Sequence, residues 1–290
     1  MRQIIIFGCG YLGRRLALAH LSRGDRVLGV VRTPASVAQL AKEGIKAQIM
    51  DLDGLAAWPA TNLGAGIEQA HLYYLIPPPR AGLVDSRSQA LLARLPHLER
   101  VVLASTTGVY GDCAGAWVNE SHPPNPIEPR AQRRLAAEQS WRSWAEAHGA
   151  ALITLRLPGF YGPGRLPVQR LEQGLPVLTE TASPWSNRIH IADLTMAAMA
   201  AMDQGRAGEV YNLSDGHPST MTDYFNQVAD HLGLPRPPQI SLAEMPGQLS
   251  AGMQGYLRES RRIDNTKMLC ELGVVLSYPT LAQGLGSVHR

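Results

Sequence analysis

Near its start the chain reads Ile4-Ile5-Ile6-Phe7-Gly8-Cys9-Gly10-Tyr11-Leu12-Gly13, and the rest of the fold is organised around this stretch. Four consecutive apolar residues predict a short strand buried on both faces. The glycines behind it have the G-x-G-x-x-G spacing, and Tyr11 to Ser22 reads as the helix that follows directly. In a strand–turn–helix of this kind each glycine has its own task. Gly8 makes the tight turn, Gly10 lets a pyrophosphate approach the backbone, and Gly13 lets helix and sheet pack closely. The helix start, at Tyr11 and Leu12, adds backbone N–H donors and a partial positive charge for phosphates. A glycine-rich turn without a ligand is the competing reading. Placement between an N-terminal strand and an amphipathic helix favours a dinucleotide.

Outward from this unit the pattern repeats. Val27 to Val31, Ala47 to Met50, Leu72 to Ile76, Val101 to Ala104 and Ala151 to Leu155 read as strands. Helices are predicted at Ala35 to Glu43, Asp85 to Leu95 and Ala131 to Ala147. Continuous apolar strands between helices imply a parallel sheet covered on both faces, hence a doubly wound α/β fold of Rossmann type. Past Leu157, the residues Pro158, Gly159, Gly162, Pro163, Gly164 and Pro167 crowd a loop. Beyond it lie helices at Leu194 to Met202 and Met221 to Leu232, a strand at Val210 to Leu213, and a Pro-rich stretch from Pro235 to Pro238. The expected organisation is a dinucleotide-binding Rossmann domain over residues 1–157, its sheet completed by parts of 188–215, and a smaller substrate-binding lobe over 158–290.

The second strand chooses the dinucleotide. An NAD site wants a carboxylate about 20 residues beyond the glycines to bond the ribose 2′-OH. Here that strand ends in Arg32-Thr33, and Asp25 lies at its other end. A guanidinium and a hydroxyl suit a 2′-phosphate, so NADP(H) is expected over NAD(H). Asp51, after the third strand, is read as an adenine contact or a helix cap.

Composition narrows the function classes. Of 290 residues, 45% are hydrophobic and 18% charged, a balance that excludes disorder. No run reaches the roughly 18 apolar residues of a membrane span, and Ile4 to Phe7 is too short for a signal peptide core. The net charge of +3 is spread over scattered basic residues such as Arg14-Arg15, Arg133-Arg134 and Arg261-Arg262, which is no nucleic-acid footprint. Cys9, Cys113 and Cys270 are far apart with no C-x-x-C, so no metal site is expected and a reducing cytoplasm fits. Lys42, Lys46 and Lys267 are the only lysines, against 24 arginines.

Several segments, in order, resemble extended short-chain dehydrogenase/reductases of the NAD(P)-dependent epimerase/dehydratase superfamily. They are the glycine turn, Ser105-Thr106-Thr107-Gly108-Val109-Tyr110-Gly111, Arg156 to Gly164, Arg188-Ile189-His190-Ile191-Ala192-Asp193-Leu194, Tyr211-Asn212-Leu213-Ser214, and Asn265 to Gly273. Small size and the Asn187 to Leu194 wording are most similar to a YeeZ-like, atypical branch. The resemblance implies an NAD(P)-dependent oxidoreductase or epimerase with a small polar substrate, and a homodimer formed by the helices flanking the site. It also implies a catalytic Ser/Thr, Tyr and Lys, in which the cation lowers the phenol's pKa so that it works near neutrality.

Carried over residue by residue, the hydroxyl position falls on Thr106, beside Ser105. Anchored on Leu135-Ala136-Ala137-Glu138, the Tyr and Lys positions fall on Arg130 and Arg134. No shift of alignment restores them, because no tyrosine lies between Tyr110 and Tyr161 and no lysine between Lys46 and Lys267. Arg134 can still hold a ribose and a charge, whereas a guanidinium at 130 keeps its protons at any working pH.

Thr106 reads either as a substrate contact or as a hydroxyl satisfying a strand end. Arg130 and Arg134, four apart, share a helix face that meets an anion or faces water. Tyr161 and His190 read as packing groups, with His190 also able to exchange a proton near neutrality. Asp193 reads as a helix N-cap, and Cys9 as a small space-filler in the turn. Where nucleotide-sugar members carry Asn, this chain reads Pro158-Gly159-Phe160, so a sugar nucleotide is not implied. Two functions remain open: an NADP(H)-dependent enzyme with relocated acid/base groups, and a non-catalytic NADP(H)-binding sensor or regulatory protein.

Overall fold

The computed structural model describes residues 1–54 and 67–288. Along the chain come β1 (Gln3–Phe7), α1 (Tyr11–Ser22), β2 (Arg26–Val31), α2 (Pro34–Lys42), β3 (Ala47–Ile49), β4 (His71–Tyr74), α3 (Ser86–Leu92), β5 (Arg100–Thr106), β6 (Trp117–Val118), α4 (Pro129–His148) and β7 (Ala151–Leu157). There follow β8 (Gly159–Tyr161), α5 (Val168–Glu172), β9 (Val177–Leu178), β10 (Trp185–Ser186), β11 (Arg188–His190), α6 (Ile191–Gln204), β12 (Val210–Asn212), β13 (Ser219–Thr220) and α7 (Met221–Leu232). The last elements are β14 (Gln239–Ile240), α8 (Met245–Gln248), α9 (Ala251–Leu257), β15 (Arg262–Ile263), α10 (Thr266–Glu271) and α11 (Leu281–Gly286).

A seven-stranded sheet runs in the order β12-β7-β5-β4-β1-β2-β3. The pairs β1–β2, β1–β4, β2–β3 and β4–β5 are all parallel. This is the doubly wound Rossmann-type order, and it reverses between β1 and β4, the switch point at which such sheets open a crevice. Ile4, Ile5, Ile6 and Phe7 are fully buried, which explains why β1 shows no alternation of apolar and polar residues. On one face Phe7, Leu72, Tyr74 and Leu103 pack with Leu91, Trp141 and Trp144 of α3 and α4. β4 stops short of the expected Ile76, because Pro77, Pro78 and Pro79 follow and proline donates no ladder hydrogen bond. α4 begins on Pro129, whose fixed φ suits a first helical position.

The chain divides into two compact units. The first comprises Met1–Thr106, Pro129–Arg156 and Thr195–Tyr211; the second comprises Thr107–Glu128, Leu157–Leu194 and Asn212–Arg290. Residues 107–128, inside the 1–157 run of the sequence reading, lie in the second unit, where β6 pairs with β15. The second unit has its own core of Tyr161, Leu171, Val177, Phe225, Val228 and Leu285. Its strands are two or three residues long and pair two by two, as in β8–β11 and β9–β14. Among the described residues no helix is long and apolar enough to cross a membrane.

Candidate functional site

The glycine turn follows β1 directly, and its three glycines differ in what surrounds them. Gly8 has φ +85°, a left-handed conformation that favours glycine, and a Cβ there would lie 3.2 Å from the Ile76 nitrogen. At Gly13 a Cβ would sit 2.8 Å from the Gly8 carbonyl oxygen and 3.1 Å from Ile6 Cγ2, so helix and turn meet with no room for a side chain. Gly10 is open: the nearest atom to a Cβ there is the Gly8 oxygen at 3.9 Å. Closed, open, closed is the pattern a bound pyrophosphate requires of this turn. Arg14 N–H closes the first helical rung on the Gly10 carbonyl at 2.8 Å, and no side chain caps the helix. The first amides of a helix have no intrahelical partner, so those of Leu12 and Gly13 are donors of the kind that receive an anion.

Cys9 is buried in the turn, where a Cβ on Gly29 would touch its Sγ at 3.0 Å; burial pushes its thiol up to about 12. It fills space and is no reactive thiolate. Arg15 folds back on Tyr11, with its guanidinium 3.9 Å from the ring centroid and a hydrogen bond from Nη1 to the Tyr11 carbonyl at 2.8 Å. Tyr11 is thereby held at the helix start.

The ends of β2, β3 and β4 carry the next group. Arg32 is exposed just beyond β2 and has no hydrogen-bond partner among the described residues. Thr33 caps α2, its Oγ1 accepting the Ser36 N–H at 3.2 Å and lying 2.8 Å from the Ser36 hydroxyl. Asp51 Oδ1 accepts the Asp53 N–H at 3.0 Å and folds the turn after β3. That turn presents Asp53 to Arg87 of α3, with Nε–Oδ1 2.7 Å and Nη2–Oδ2 2.5 Å, while Arg87 Nη1 donates to the Pro77 carbonyl at 2.9 Å. The hydrogen bonds from Arg87, with the charges of Arg87 and Arg32, hold the Asp53 carboxyl below its usual range. Sequence reasoning missed this pair, whose partners are 34 residues apart; the Asp51-Leu52-Asp53 turn was its only local trace.

α4 supplies the face on which the Tyr and Lys positions fall. Glu138 is buried, its carboxylate accepting from Arg156 at 3.2 Å (Nε) and 2.8 Å (Nη2), and from the Ser105 hydroxyl. This trio ties α4 to β5 and β7 and commits Ser105 to structure. One turn earlier, Arg134 is half-buried and donates from Nη1 to the Ile76 carbonyl at 3.1 Å. Ile76 is the residue whose backbone abuts Gly8, so Arg134 reaches the strand end beside the glycine turn. Arg134 forms no ion pair among the described residues; burial lowers its pKa, against the opposing charges of Asp85, Tyr74 and Glu138. Asp85 itself is spent on capping α3 through the amides of Arg87 and Ser88 and on the Ser88 hydroxyl. Tyr74 packs against Trp141, and burial raises its pKa. Arg130, at the start of α4, and Thr106, at the end of β5, are both half-buried.

The remaining candidates lie in the second unit. Tyr161 is buried, donates to the Thr280 carbonyl at 3.5 Å, and has its pKa raised by burial. Its ring meets His190 edge-on at 5.4 Å, and His190 packs on Tyr278 at 4.2 Å. His190 Nδ1 accepts the Ala192 N–H at 3.3 Å, and its Nε2 lies 3.4 Å from the Ser287 hydroxyl. The N-cap reading of Asp193 is corrected: α6 begins at Ile191, and the Asp193 carboxylate accepts the N–H groups of Ser277 (2.8 Å) and Tyr278 (2.9 Å). It pins a distant loop, because those amides have no ladder of their own.

Strand order and glycine turn together define a Rossmann-type fold, and the model of the NAD dependent epimerase/dehydratase family matches residues 88–214. That match covers Thr106, Arg130 and Arg134 and leaves the glycine turn to stand on its own geometry. Within this setting the chain is 29% identical to Protein YeeZ of Escherichia coli K12, over 96% of this chain and 97% of that one. A solved structure described as a functionally unknown conserved protein from Silicibacter pomeroyi DSS superposes with a TM-score of 0.82 at 28% identity, covering 98% of this chain and 97% of that chain. UDP-glucuronic acid 4-epimerase from Bacillus cereus, in complex with NAD, superposes with a TM-score of 0.78 at 19% identity, covering 99% and 97% of the two chains. At that identity the likeness is one of fold.

Proposed function

We propose that the first unit binds NADP(H) and that the chain is an oxidoreductase or epimerase-type enzyme acting on a small polar substrate. The observation that carries this is the turn open at Gly10 and closed at Gly8 and Gly13. Gly8, Gly10, Tyr11, Leu12 and Gly13 would hold the pyrophosphate, and Arg32 the 2′-phosphate. Thr33 supports that grip through its cap on α2, and Asp51 through the turn it folds. When bound, the nicotinamide supplies a hydride donor or acceptor. Arg134, held at the Ile76 carbonyl and without an ion pair among the described residues, is suited to an anion: the nicotinamide-side phosphate or a carboxylate or phosphate of the substrate. Thr106 would position the substrate oxygen, with Arg130 adding positive charge near it. With no phenol at position 130, the proton would come from water or from His190.

The missing tyrosine also favours a second reading, an NADP(H)-binding sensor without turnover. One experiment separates the two. Consumption of NADPH in the presence of a panel of aldehydes, ketones and nucleotide sugars establishes the enzyme. Tight NADPH binding with no turnover across the panel, and a protein partner that co-purifies, establishes the sensor.

A further inference from the structure

The Asp53–Arg87 pair has a second consequence. β2 and β3 are parallel neighbours, with Val31 level with Ile49, so Arg32 emerges beside the Met50–Asp53 segment. A carboxylate at this place has two possible effects on a coenzyme: bare, it repels a phosphate on the adenosine ribose and favours the hydroxyl; neutralised, it does neither. Here both Asp53 oxygens are taken by one planar guanidinium. Arg87 is in turn fixed by the Pro77 carbonyl and by the helix start that Asp85 caps. β3 and β4 are not neighbours, since β1 and β2 lie between them, so the pair ties together strand ends on either side of the glycine turn and Arg32. Among the described residues Arg32 is left with no hydrogen-bond partner, although its neighbour Asp53 is an acceptor.

We propose that Arg87 is a specificity-determining residue that masks Asp53, keeping this carboxylate from repelling the 2′-phosphate and from capturing Arg32. This rests on the NADP(H) reading and deepens it: Arg32 is the phosphate's partner, and Arg87 is a positioning residue that leaves Arg32 available. Masking differs from direct contact in one respect, which is that removing the masked group removes the need for the mask.

The test is a titration of the full-length, nucleotide-free protein with NADPH and with NADH, followed by protein fluorescence, on the parent, Arg87→Met, Asp53→Asn, the double variant and Arg32→Ala. Arg87→Met is expected to weaken NADPH binding about tenfold and to change NADH binding by less than about twofold. The double variant is expected to return NADPH binding to within about threefold of the parent. If the double variant stays as weak for NADPH as Arg87→Met, Arg87 touches the phosphate itself and masking is overturned. If Arg87→Met weakens both coenzymes equally, with no rescue, the pair is only a structural tie and the proposal falls. Thermal melts of the same samples identify any variant that loses binding by unfolding. Failure of the underlying reading has a different signature: an NADPH/NADH ratio that Arg32→Ala leaves unchanged.

Discussion

The glycine turn and α4 are both parts of the first unit, and they have been treated differently. In the turn the requirement is carried by backbone: Gly8 must turn left-handed, Gly13 must lie against the Gly8 carbonyl, and Gly10 must stay open. Nothing there depends on a titrating side chain. In α4 the packing and the candidate reactive positions are carried by different residues. Glu138 still clamps the helix to β5 and β7, while Arg130 and Arg134 stand at the phenol and ammonium positions that the resemblance implies. The lesson is that the turn and an acid/base pair are separable: the first rests on sterics that leave no room for a side chain at Gly8 and Gly13, the second on two exchangeable side chains of one helix face.

That comparison breaks if the clamp proves dispensable. Glu138→Gln leaves the Arg156 guanidinium buried without its countercharge and is expected to cost about 3–5 kcal/mol by urea unfolding. A loss below about 1 kcal/mol would mean that α4 is held by packing alone.

The second unit provides a reference of similar size. Asp215 is buried, accepts the His217 N–H at 3.0 Å, and has its carboxyl raised to about 6 by burial, against the opposing His217 hydrogen bond and Arg188 charge. The folded protein therefore holds this proton more tightly than the unfolded chain does, whose ordinary value is 3.8. Its contribution is whole below the unfolded value and disappears as pH rises through the folded one, a change of about 3 kcal/mol. Asp215→Asn is expected to flatten the stability profile between these two values, as measured by melts across that range.

In the turn, Gly13→Ala drives a methyl into the Gly8 carbonyl and is expected to cost about 1–3 kcal/mol and to abolish coenzyme binding. Gly10→Ala meets no such contact; it is expected to leave stability within about 0.5 kcal/mol and to weaken binding only. Equal destabilisation by both would erase the distinction between closed and open glycines. The smallest effect is expected from Arg32→Ala, which removes an exposed side chain. NADPH binding weakens about tenfold, or about 1.4 kcal/mol, and NADH binding and stability are unchanged.

How much of this was legible in the sequence follows the range of the forces involved. α1 and α7 have the bounds their patterns predict, and β1, β2, β5 and β7 lie where apolar runs are found, because a buried strand or an amphipathic helix is written in neighbouring residues. The glycine turn was legible for the same reason. The two-residue strands of the second unit were not, since β6 is a strand only by virtue of β15, far along the chain. Asp193 was misread as a cap because its partners, Ser277 and Tyr278, are distant; a carboxylate near a helix start says nothing about the loop it holds. Asp53 and Arg87 went unnoticed for the same reason, and Ser105 and Glu138 were legible as residues but not as one network.

The central claim is that the opening turn grips a pyrophosphate and Arg32 grips the phosphate on the adenosine. Isothermal titration of nucleotide-stripped protein with NADPH and with NADH tests it directly. Saturable heat with NADPH, and binding about tenfold weaker with NADH, is the expected result. An absence of heat with both coenzymes, from protein that is folded by its melting curve, would contradict it.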